Sequence, residues 1–174
     1  MEEVINAILI REVETKNIMT KSSLPLGGYS VNPYVGCTHA CKYCYASFMK
    51  RFTGHKEEWG TFLDVKHWPE IKNPKKYVGQ RVVIGSVTDG YNPQEEQFGK
   101  TRKLLEQLIG SDADILICTK SDLVAVSYTH LFGRARTENH SGRDKQVPAV
   151  KDCRFTQTAF GTVVYLSLIH IFRT

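Results

Sequence analysis

The most constraining feature of this sequence is a strand–helix–strand pattern in the middle of the chain. The run RVVIGSV (81–87) is apolar, β-branched and bounded by turn residues, which predicts a buried strand. The run ADILICTKS (113–121) predicts a second strand, and the residues between them predict a helix over 93–109. That helix is predicted to begin with a capping box made by Asn92, Pro93 and Glu95. Two strands joined through a helix favour parallel neighbours in an α/β sheet.

The segment before this pattern predicts one more strand and one more helix. YSV (29–31) predicts a short strand, and Asn32 and Pro33 stop it, so that the following residues form a loop that carries Cys37. Residues 42–51 suit a helix. This order predicts three parallel strands, and the loops that follow parallel strands meet on one face of the sheet. The predicted loops are 35–44, 87–93 and 119–122.

The first of these loops carries three cysteines within eight positions, Cys37, Cys41 and Cys44. Thiolates are soft ligands that select zinc, copper(I) or iron–sulfur clusters. A structural zinc site needs four closed ligands, and only His39 or His55, both at awkward spacings, could complete one. A 4Fe–4S cluster held by three cysteines leaves one iron open to bind another molecule. The spacing therefore favours an iron–sulfur cluster and leaves zinc as the alternative.

Four blocks of the sequence resemble one known family, in the same order. CTHACKYC (37–44) has the Cys-x3-Cys-x2-Cys spacing of radical S-adenosylmethionine (radical SAM) enzymes. The wider blocks are similar to the radical SAM proteins grouped with spore photoproduct lyase and described as DNA repair photolyase-like. These blocks are MTKSSLP (19–25), NPYVGCTHACKYCYASFMKRFTGHKEEWG (32–60), GSVTDGYNPQE (85–95) and CTKSDLV (118–124). The resemblance covers about residues 16–124 and implies an α/β fold, the first three strands of a radical SAM (β/α)6 partial TIM barrel.

The resemblance also implies roles for individual residues. Cys37, Cys41 and Cys44 would each ligate one iron of the 4Fe–4S cluster, and the fourth iron would chelate S-adenosylmethionine. Tyr43 would lie near the adenine. The residues that end the second strand, Ser86, Thr88 and Asp89, would meet the methionine amino group or the ribose. Those that end the third strand, Lys120 and Ser121, would meet the methionine carboxylate, because a cation and a hydroxyl suit an anionic group. Asp89 also has a local alternative, the closure of an Asp-Gly turn.

The activity implied by this family is reductive cleavage of S-adenosylmethionine. An electron from an external donor of flavodoxin or ferredoxin type would break a C–S bond and give methionine and a 5′-deoxyadenosyl radical, which abstracts hydrogen from a substrate. The sequence indicates neither the substrate nor a catalytic residue. Two alternatives stay open, a non-catalytic zinc-binding module and a spore photoproduct lyase-like DNA repair lyase. The lyase would be expected to use a further cysteine near its C-terminus.

Charge and composition constrain the partners and the compartment. The net charge of +5 does not support a nucleic-acid partner, because residues 1–125 carry 16 basic and 15 acidic side chains. No apolar run is long enough to span a membrane, and the N-terminus lacks a secretory pattern. The five cysteines are therefore expected to be reduced thiols in the cytoplasm.

The sequence predicts a boundary near residue 125. Residues 1–125 form the predicted partial radical SAM domain with its cluster loop. Residues 126–174 are predicted to be an irregular tail, because only 161–172 has strand character.

Two pieces of this tail echo each other, SYTHLF (127–132) and SLIHIF (167–172). Both resemble peptides produced when sequencing-adapter DNA is translated, which favours an artefactual tail. The chain would then be a truncated product of a longer enzyme and be inactive itself, and its third strand would be an exposed edge.

Overall fold

The computed structural model describes residues 8–23 and 28–124, together with the backbone of 153–158 and 161–167. The strands are β1 (Leu9–Glu14), β2 (Thr20–Lys21), β3 (Tyr29–Val31), β4 (Tyr34–Val35), β5 (Phe62–His67), β6 (Arg81–Ile84), β7 (Asp114–Thr119), β8 (Cys153–Thr158) and β9 (Gly161–Ser167). The α-helices are α1 (Glu95–Phe98) and α2 (Lys100–Leu108), and 3₁₀ helices span Tyr45–Phe52 and Pro74–Tyr77.

The larger sheet has the strand order β2-β3-β6-β7-β9-β8. Its centre is formed by β3, β6 and β7, which run parallel, with Ser30 opposite Val83 and Val83 opposite Leu116. The three predicted strands therefore exist and lie side by side, although β6 ends at Ile84 rather than at residue 87. Because they are parallel neighbours, the loops that follow them leave from the same edge of the sheet.

A smaller sheet of the order β1-β5-β4 packs beside the first loop. β1 runs parallel to β5, and β4 runs antiparallel to it. The buried side chains of Tyr34, Leu63 and Val65 form a small apolar cluster, against which Phe98 packs. The run TFLDVKHW (61–68) predicts an extended segment at β5. Its residue pattern does not reveal that its partner is β1, more than 40 residues earlier in the chain.

The prediction of a single helix between β6 and β7 is wrong, because Gly99 divides the helical segment into α1 and α2. That glycine has φ +57°, a left-handed conformation that ends α1. The predicted capping box of Asn92 and Glu95 is also not formed. The Glu95 carboxylate instead accepts the backbone N–H groups of Thr101 and Arg102, at 3.1 and 3.0 Å, in the first turn of α2. A buried acceptor at this turn stabilises the start of the second helix.

The helix predicted over 42–51 is a 3₁₀ helix over Tyr45–Phe52. Within this segment only Ala46 is buried, so little packing favours a regular α-helix. The helix begins directly after Cys44 and ends before Gly54, whose φ of +73° agrees with the predicted stop. Most side chains of this segment lie on the surface.

The main core lies between the parallel strands of the larger sheet and α2. Alternate positions of each strand and the apolar face of α2 supply it, which is why β-branched strands and a helix of 3.6-residue period fold together here. The fully buried aliphatic side chains of this core are Val31, Val82, Ile84, Leu104, Leu108, Ile115 and Ile117.

The expectation of an irregular tail is wrong for residues 153–158, whereas the strand character expected at 161–172 is confirmed for residues 161–167. β8 and β9 form an antiparallel pair, and β9 runs antiparallel to β7, with Val164 opposite Ile117. β7 is therefore not an edge strand, because the backbone of β9 satisfies its outer hydrogen-bonding groups. Residues 125–152, 159–160 and 168–174 lie outside the described residues, and the artefactual origin of the tail stays a prediction.

The described strands form two open sheets and do not close into a barrel. The partial TIM barrel therefore stays a prediction. Within the ranges that the structure describes, no helix has the length and apolar character required to cross a bilayer.

Candidate functional site

The three predicted loops meet at the carboxyl ends of β3, β6 and β7, and Asp89 joins them. Its Oδ1 accepts the hydroxyl of Thr119, 2.7 Å away, and the N–H of Tyr91, 2.8 Å away. Its Oδ2 accepts the N–H of Lys120 at 2.7 Å and lies 3.3 Å from His39 Nε2. One buried carboxylate therefore links the loop after β6 to the loop after β7 and to the cysteine loop.

The environment of Asp89 keeps it ionised. Burial by itself raises the pKa of this carboxyl, but the close approach of His39 and the hydrogen bonds from Lys120, Thr119 and Tyr91 outweigh that effect and hold the pKa below its ordinary value. Both oxygens are engaged by protein donors. The turn that the sequence offered as an alternative role for Asp89 is formed, because the Tyr91 N–H donates to the Asp89 carboxylate. The same carboxylate also holds the loops after β6 and β7 together, and we call this set of contacts the Asp89 clasp.

Thr88 holds the start of the cysteine loop. Its buried hydroxyl donates to the carbonyl oxygen of Gly36, the residue before Cys37. Gly36 has φ +88°, and a Cβ at this position would lie 2.5 Å from the backbone oxygen of Phe62. A glycine is therefore required where the loop passes β5 and turns toward the cysteines.

Cys37 is the buried member of the three cysteines. Burial raises the pKa of its thiol to about 11, while the backbone N–H groups of His39 and Asp89 act to lower it. The charges of Asp89 and then of Cys44 also act to raise the Cys37 pKa. N–H groups directed at a sulfur are the kind of contact that stabilises a bound thiolate and tunes an iron–sulfur cluster.

Cys41 and Cys44 are half-buried and belong to one turn, in which the N–H of Cys44 donates to the carbonyl of Cys41 at 3.0 Å. Ala40 precedes this turn with a left-handed φ of +48°. Gly60 packs against Ala40 so closely that a Cβ on Gly60 would lie 2.7 Å from the Ala40 Cβ. The conformation of the loop is therefore fixed from the side of the smaller sheet.

Lys120 and Tyr43 form a contact across the mouth of the site. The Lys120 ammonium donates to the Tyr43 hydroxyl and lies 4.2 Å from the centroid of its ring. The contacts with Tyr43 and then with Cys41 raise the pKa of the Lys120 ammonium. The lysine expected to meet a carboxylate and the aromatic residue expected near an adenine are thus brought together, next to a cysteine.

Ser86 lies in a polar cluster at the ends of β3 and β6. Its hydroxyl is 2.7 Å from the Ser30 hydroxyl and accepts the amide of Asn32 at 3.1 Å. Asn32 also accepts the N–H of Val87 at 3.2 Å. Ser121, the last predicted residue of the site, accepts the N–H of Leu123 at 3.2 Å and so begins the next turn.

Three residues of the site were not predicted from the sequence as part of it, Asn32, His39 and Thr119. His39 had been considered only as a zinc ligand, and Asn32 only as a strand stop. A detectable signal existed for Asn32 and Thr119, because each stands at the carboxyl end of a parallel strand, and Thr119 also precedes the predicted site residue Lys120. His39 had no such signal, since its contact with Asp89 spans 50 residues.

The cysteine loop offers three thiols as candidate ligands for a metal group. In the ranges with described side chains, no three His, Cys, Asp or Glu side chains converge into a preassembled metal site. The three thiols share one loop and none is in a disulfide. The donor set therefore fits a thiolate-bound cluster in kind, and it is not arranged in advance of binding.

His55 is poorly placed to complete a zinc site with the cysteines. Both ring nitrogens of the buried His55 contact carboxylates, Nδ1 at 2.9 Å from Glu57 and Nε2 at 2.9 Å from Asp64. The ring also stacks on Phe62, with 3.9 Å between centroids. His39 directs its Nε2 to Asp89. Both ring nitrogens of His55 are therefore already engaged by carboxylates.

Comparison with known proteins gives relatives in archaea, a virus and bacteria. An uncharacterized protein of Methanocaldococcus jannaschii is 39% identical over 119 residues, covering 67% of this chain and 44% of the relative. An uncharacterized protein of Acidianus two-tailed virus is 35% identical over 108 residues, covering 56% and 35%. One of Mycobacterium bovis is 27% identical over 135 residues, covering 68% and 38%. The chain thus spans less than half the length of these relatives.

No family model matches the chain. No solved structure matches it either.

Proposed function

We propose that this chain carries the cofactor-binding part of a radical SAM enzyme, with Cys37, Cys41 and Cys44 as the ligands of a 4Fe–4S cluster. The observation that carries the proposal is the meeting of three strand-end loops around Asp89, with three thiols in one of them. Parallel α/β sheets bind ligands at this edge of the strands. When bound, such a cluster with one open iron would supply the electron that cleaves S-adenosylmethionine to methionine and the 5′-deoxyadenosyl radical.

The side chains around the cysteines would bind and orient S-adenosylmethionine. Lys120 is an exposed cation beside Cys41, suited to the methionine carboxylate, and Tyr43 offers a ring for the adenine. Ser86 and Ser121 offer hydroxyls at the ends of β6 and β7. These roles extend the sequence-based hypothesis to residues that lie along one edge of the sheet.

Thr88 and Asp89 take a different role in this proposal from the one the resemblance implies. Their polar atoms are already engaged, the Thr88 hydroxyl by Gly36 and the Asp89 carboxylate by Thr119 and Lys120. We therefore assign them as positioning residues. They hold the cysteine loop and the Lys120 backbone in place. The methionine amino group and the ribose would then be contacted by other groups at the same edge of the sheet.

The electron is proposed to come from an external donor of flavodoxin or ferredoxin type, and the substrate is not assigned. A DNA substrate, as in the lyase alternative, has no specific contact in its favour here. A zinc site completed by His55 is disfavoured, because both ring nitrogens of His55 already contact carboxylates, and a non-catalytic zinc-binding module stays the alternative. The activity of the whole protein is a proposal in every respect, since the relatives extend well beyond the matched region.

Anaerobic reconstitution with iron and sulfide tests the proposal. We expect a 4Fe–4S signal in the electron paramagnetic resonance spectrum of the dithionite-reduced chain, and a shift of that signal on adding S-adenosylmethionine. Cys37→Ser, Cys41→Ser and Cys44→Ser should each abolish iron loading. Cys118→Ser is the matched control and should keep it, because Cys118 lies within β7.

Two results would contradict the proposal. A chain that binds zinc and forms no iron–sulfur cluster would replace it with the metal-binding module. A cluster whose signal ignores S-adenosylmethionine would retain the cysteine assignment and reject the assignment of the cofactor.

A further inference from the structure

The 3₁₀ helix that follows the cysteines presents an exposed aromatic surface. Tyr45 is 70% exposed, Phe52 69% and Phe48 43%. Large aromatic side chains normally bury most of their area, and a contiguous exposed group of them marks an interaction site. Together with Lys50 and Arg51, these residues form what we call the aromatic-basic face.

The helix and its flanking residues are rich in basic side chains. Residues 42–56 include Lys42, Lys50, Arg51 and Lys56, and the nearest acidic residues in the sequence are Glu57 and Glu58, directly after them. The Arg51 guanidinium lies 5.4 Å from the centroid of the Phe48 ring and 5.1 Å from that of Phe52. The cation is therefore held among the rings, and the surface is complementary to an acidic partner.

The aromatic-basic face is joined to the candidate site. Tyr45 directly follows Cys44, and its hydroxyl donates to the carbonyl oxygen of Ser86 at the end of β6. A protein that docks on this face would stand beside the loop that carries the cysteines. We infer that the aromatic-basic face is the docking surface for an acidic one-electron carrier protein, an inference that rests on the proposed function.

The geometry favours a protein partner over single-stranded nucleic acid. Bases stack on open ring faces, and successive stacked bases need rings that are roughly parallel to one another. Here the Phe48 and Phe52 rings stand at 89° to each other, and Arg51 lies over one face of each. Aromatic residues and arginine are the residues that anchor protein interfaces, and transient redox complexes rely on charge for fast association.

A binding measurement tests the docking surface without the cluster. The probe is oxidised flavodoxin, titrated against the iron-free 174-residue chain at low salt and followed by fluorescence anisotropy. The double variant Lys50→Glu/Arg51→Glu should weaken binding by roughly tenfold or more, because two attractive charges become repulsive. Its matched control is Lys75→Glu/Lys76→Glu, an equal charge change on the exposed 3₁₀ helix at Pro74–Tyr77, which should bind within about twofold of the unchanged chain.

Phe52→Ser gives a second test, because it changes no charge. It should weaken binding at both low and high salt, whereas the effect of the charge reversal should fade as salt rises. Circular dichroism of each variant establishes that the fold is kept. Equal losses in the two double variants, or no loss at either position, would overturn the inference. So would a dT20 oligonucleotide that binds through Lys50 and Arg51 when flavodoxin does not bind.

Reduction kinetics separate this inference from the proposed function. In the reconstituted chain, the charge reversal at Lys50 and Arg51 should slow cluster reduction by reduced flavodoxin at least tenfold. It should slow reduction by dithionite, a small anion that needs no docking surface, by much less. Equal slowing with both reductants would overturn the docking surface. If no cluster forms, the proposed function fails, while the flavodoxin titration still decides whether the face binds an acidic protein.

Discussion

Replacing Asp89 with asparagine tests the clasp between the loops. An asparagine keeps one acceptor oxygen and places an amide NH₂ where the other carboxylate oxygen was. In one orientation this NH₂ faces the N–H of Lys120, and in the other it faces the N–H of Tyr91, so one backbone donor loses its acceptor either way. Hydrogen bonds to charged groups contribute about 1.5–3 kcal/mol, and a buried unsatisfied donor costs about 1–3 kcal/mol.

The expected result for Asp89→Asn is a fall of about 2–4 kcal/mol in the free energy of unfolding, as a lower urea midpoint with an unchanged slope. Fluorescence of the buried Trp68 and far-ultraviolet circular dichroism both report the transition. Asp122→Asn removes an equal charge from an exposed side chain in the same loop and should change stability by less than about 0.5 kcal/mol. A difference between the two variants of under about 0.5 kcal/mol would refute the clasp.

The pH dependence of this loss has a definite sign. The folded-state pKa of Asp89 is depressed. Its ionised form therefore stabilises the fold fully above the unfolded-state pKa, about 3.9. That contribution is lost as pH falls below this value toward the folded-state pKa. The gap in stability between the unchanged chain and Asp89→Asn should thus stay constant from pH 5 to pH 7, within the precision of about 0.5 kcal/mol, and narrow below about pH 4.

Two further predictions concern the packing around the site. Gly36→Ala should lower the free energy of unfolding by about 3 kcal/mol or more and block iron loading, because the new Cβ would meet the backbone of Phe62. Its matched control is Gly99→Ala, because Gly99 has a similar left-handed backbone but open space around the position of a Cβ. This control should lower the free energy of unfolding by only about 1–2 kcal/mol. Equal losses in urea unfolding would contradict this. Tyr34→Phe removes the hydroxyl that donates to the buried Glu95 carboxylate and should cost about 1–3 kcal/mol. If Tyr34→Phe is as stable as the unchanged chain, the Tyr34–Glu95 hydrogen bond does not stabilise the fold.

The sequence predicts the parts of this fold that depend on local pattern. β3, β6 and β7 were predictable, because short β-branched runs between turn residues have few alternatives. Their parallel order was predictable as well, since a helix separates β6 from β7. The meeting of the three loops then follows from topology, and the contacts of Asp89 confirm that geometry.

The parts that depend on distant contacts could not be predicted. Gly99 is a possible local signal for a helix end, but the amphipathic pattern continues through it, so the pattern favours one continuous helix. The break becomes favourable because the Glu95 carboxylate accepts two N–H groups at the start of α2 and binds the hydroxyl of Tyr34. Pairing of β1 with β5 and of β9 with β7 likewise depends on residues more than 40 positions apart, for which alternation alone gives no register.

The construction of the site also explains why a chain this short can be tested for cofactor binding. The three loops are held by adjacent parallel strands and by contacts of Asp89, Thr88 and Asn32, and all of these contacts lie within residues 30–124. None of them requires a closed barrel. Binding of the cluster and of S-adenosylmethionine is therefore expected to be separable from turnover of a substrate. Reconstituted chain that binds both and turns over no substrate would be consistent with this separation, because the chain spans under half the length of its relatives.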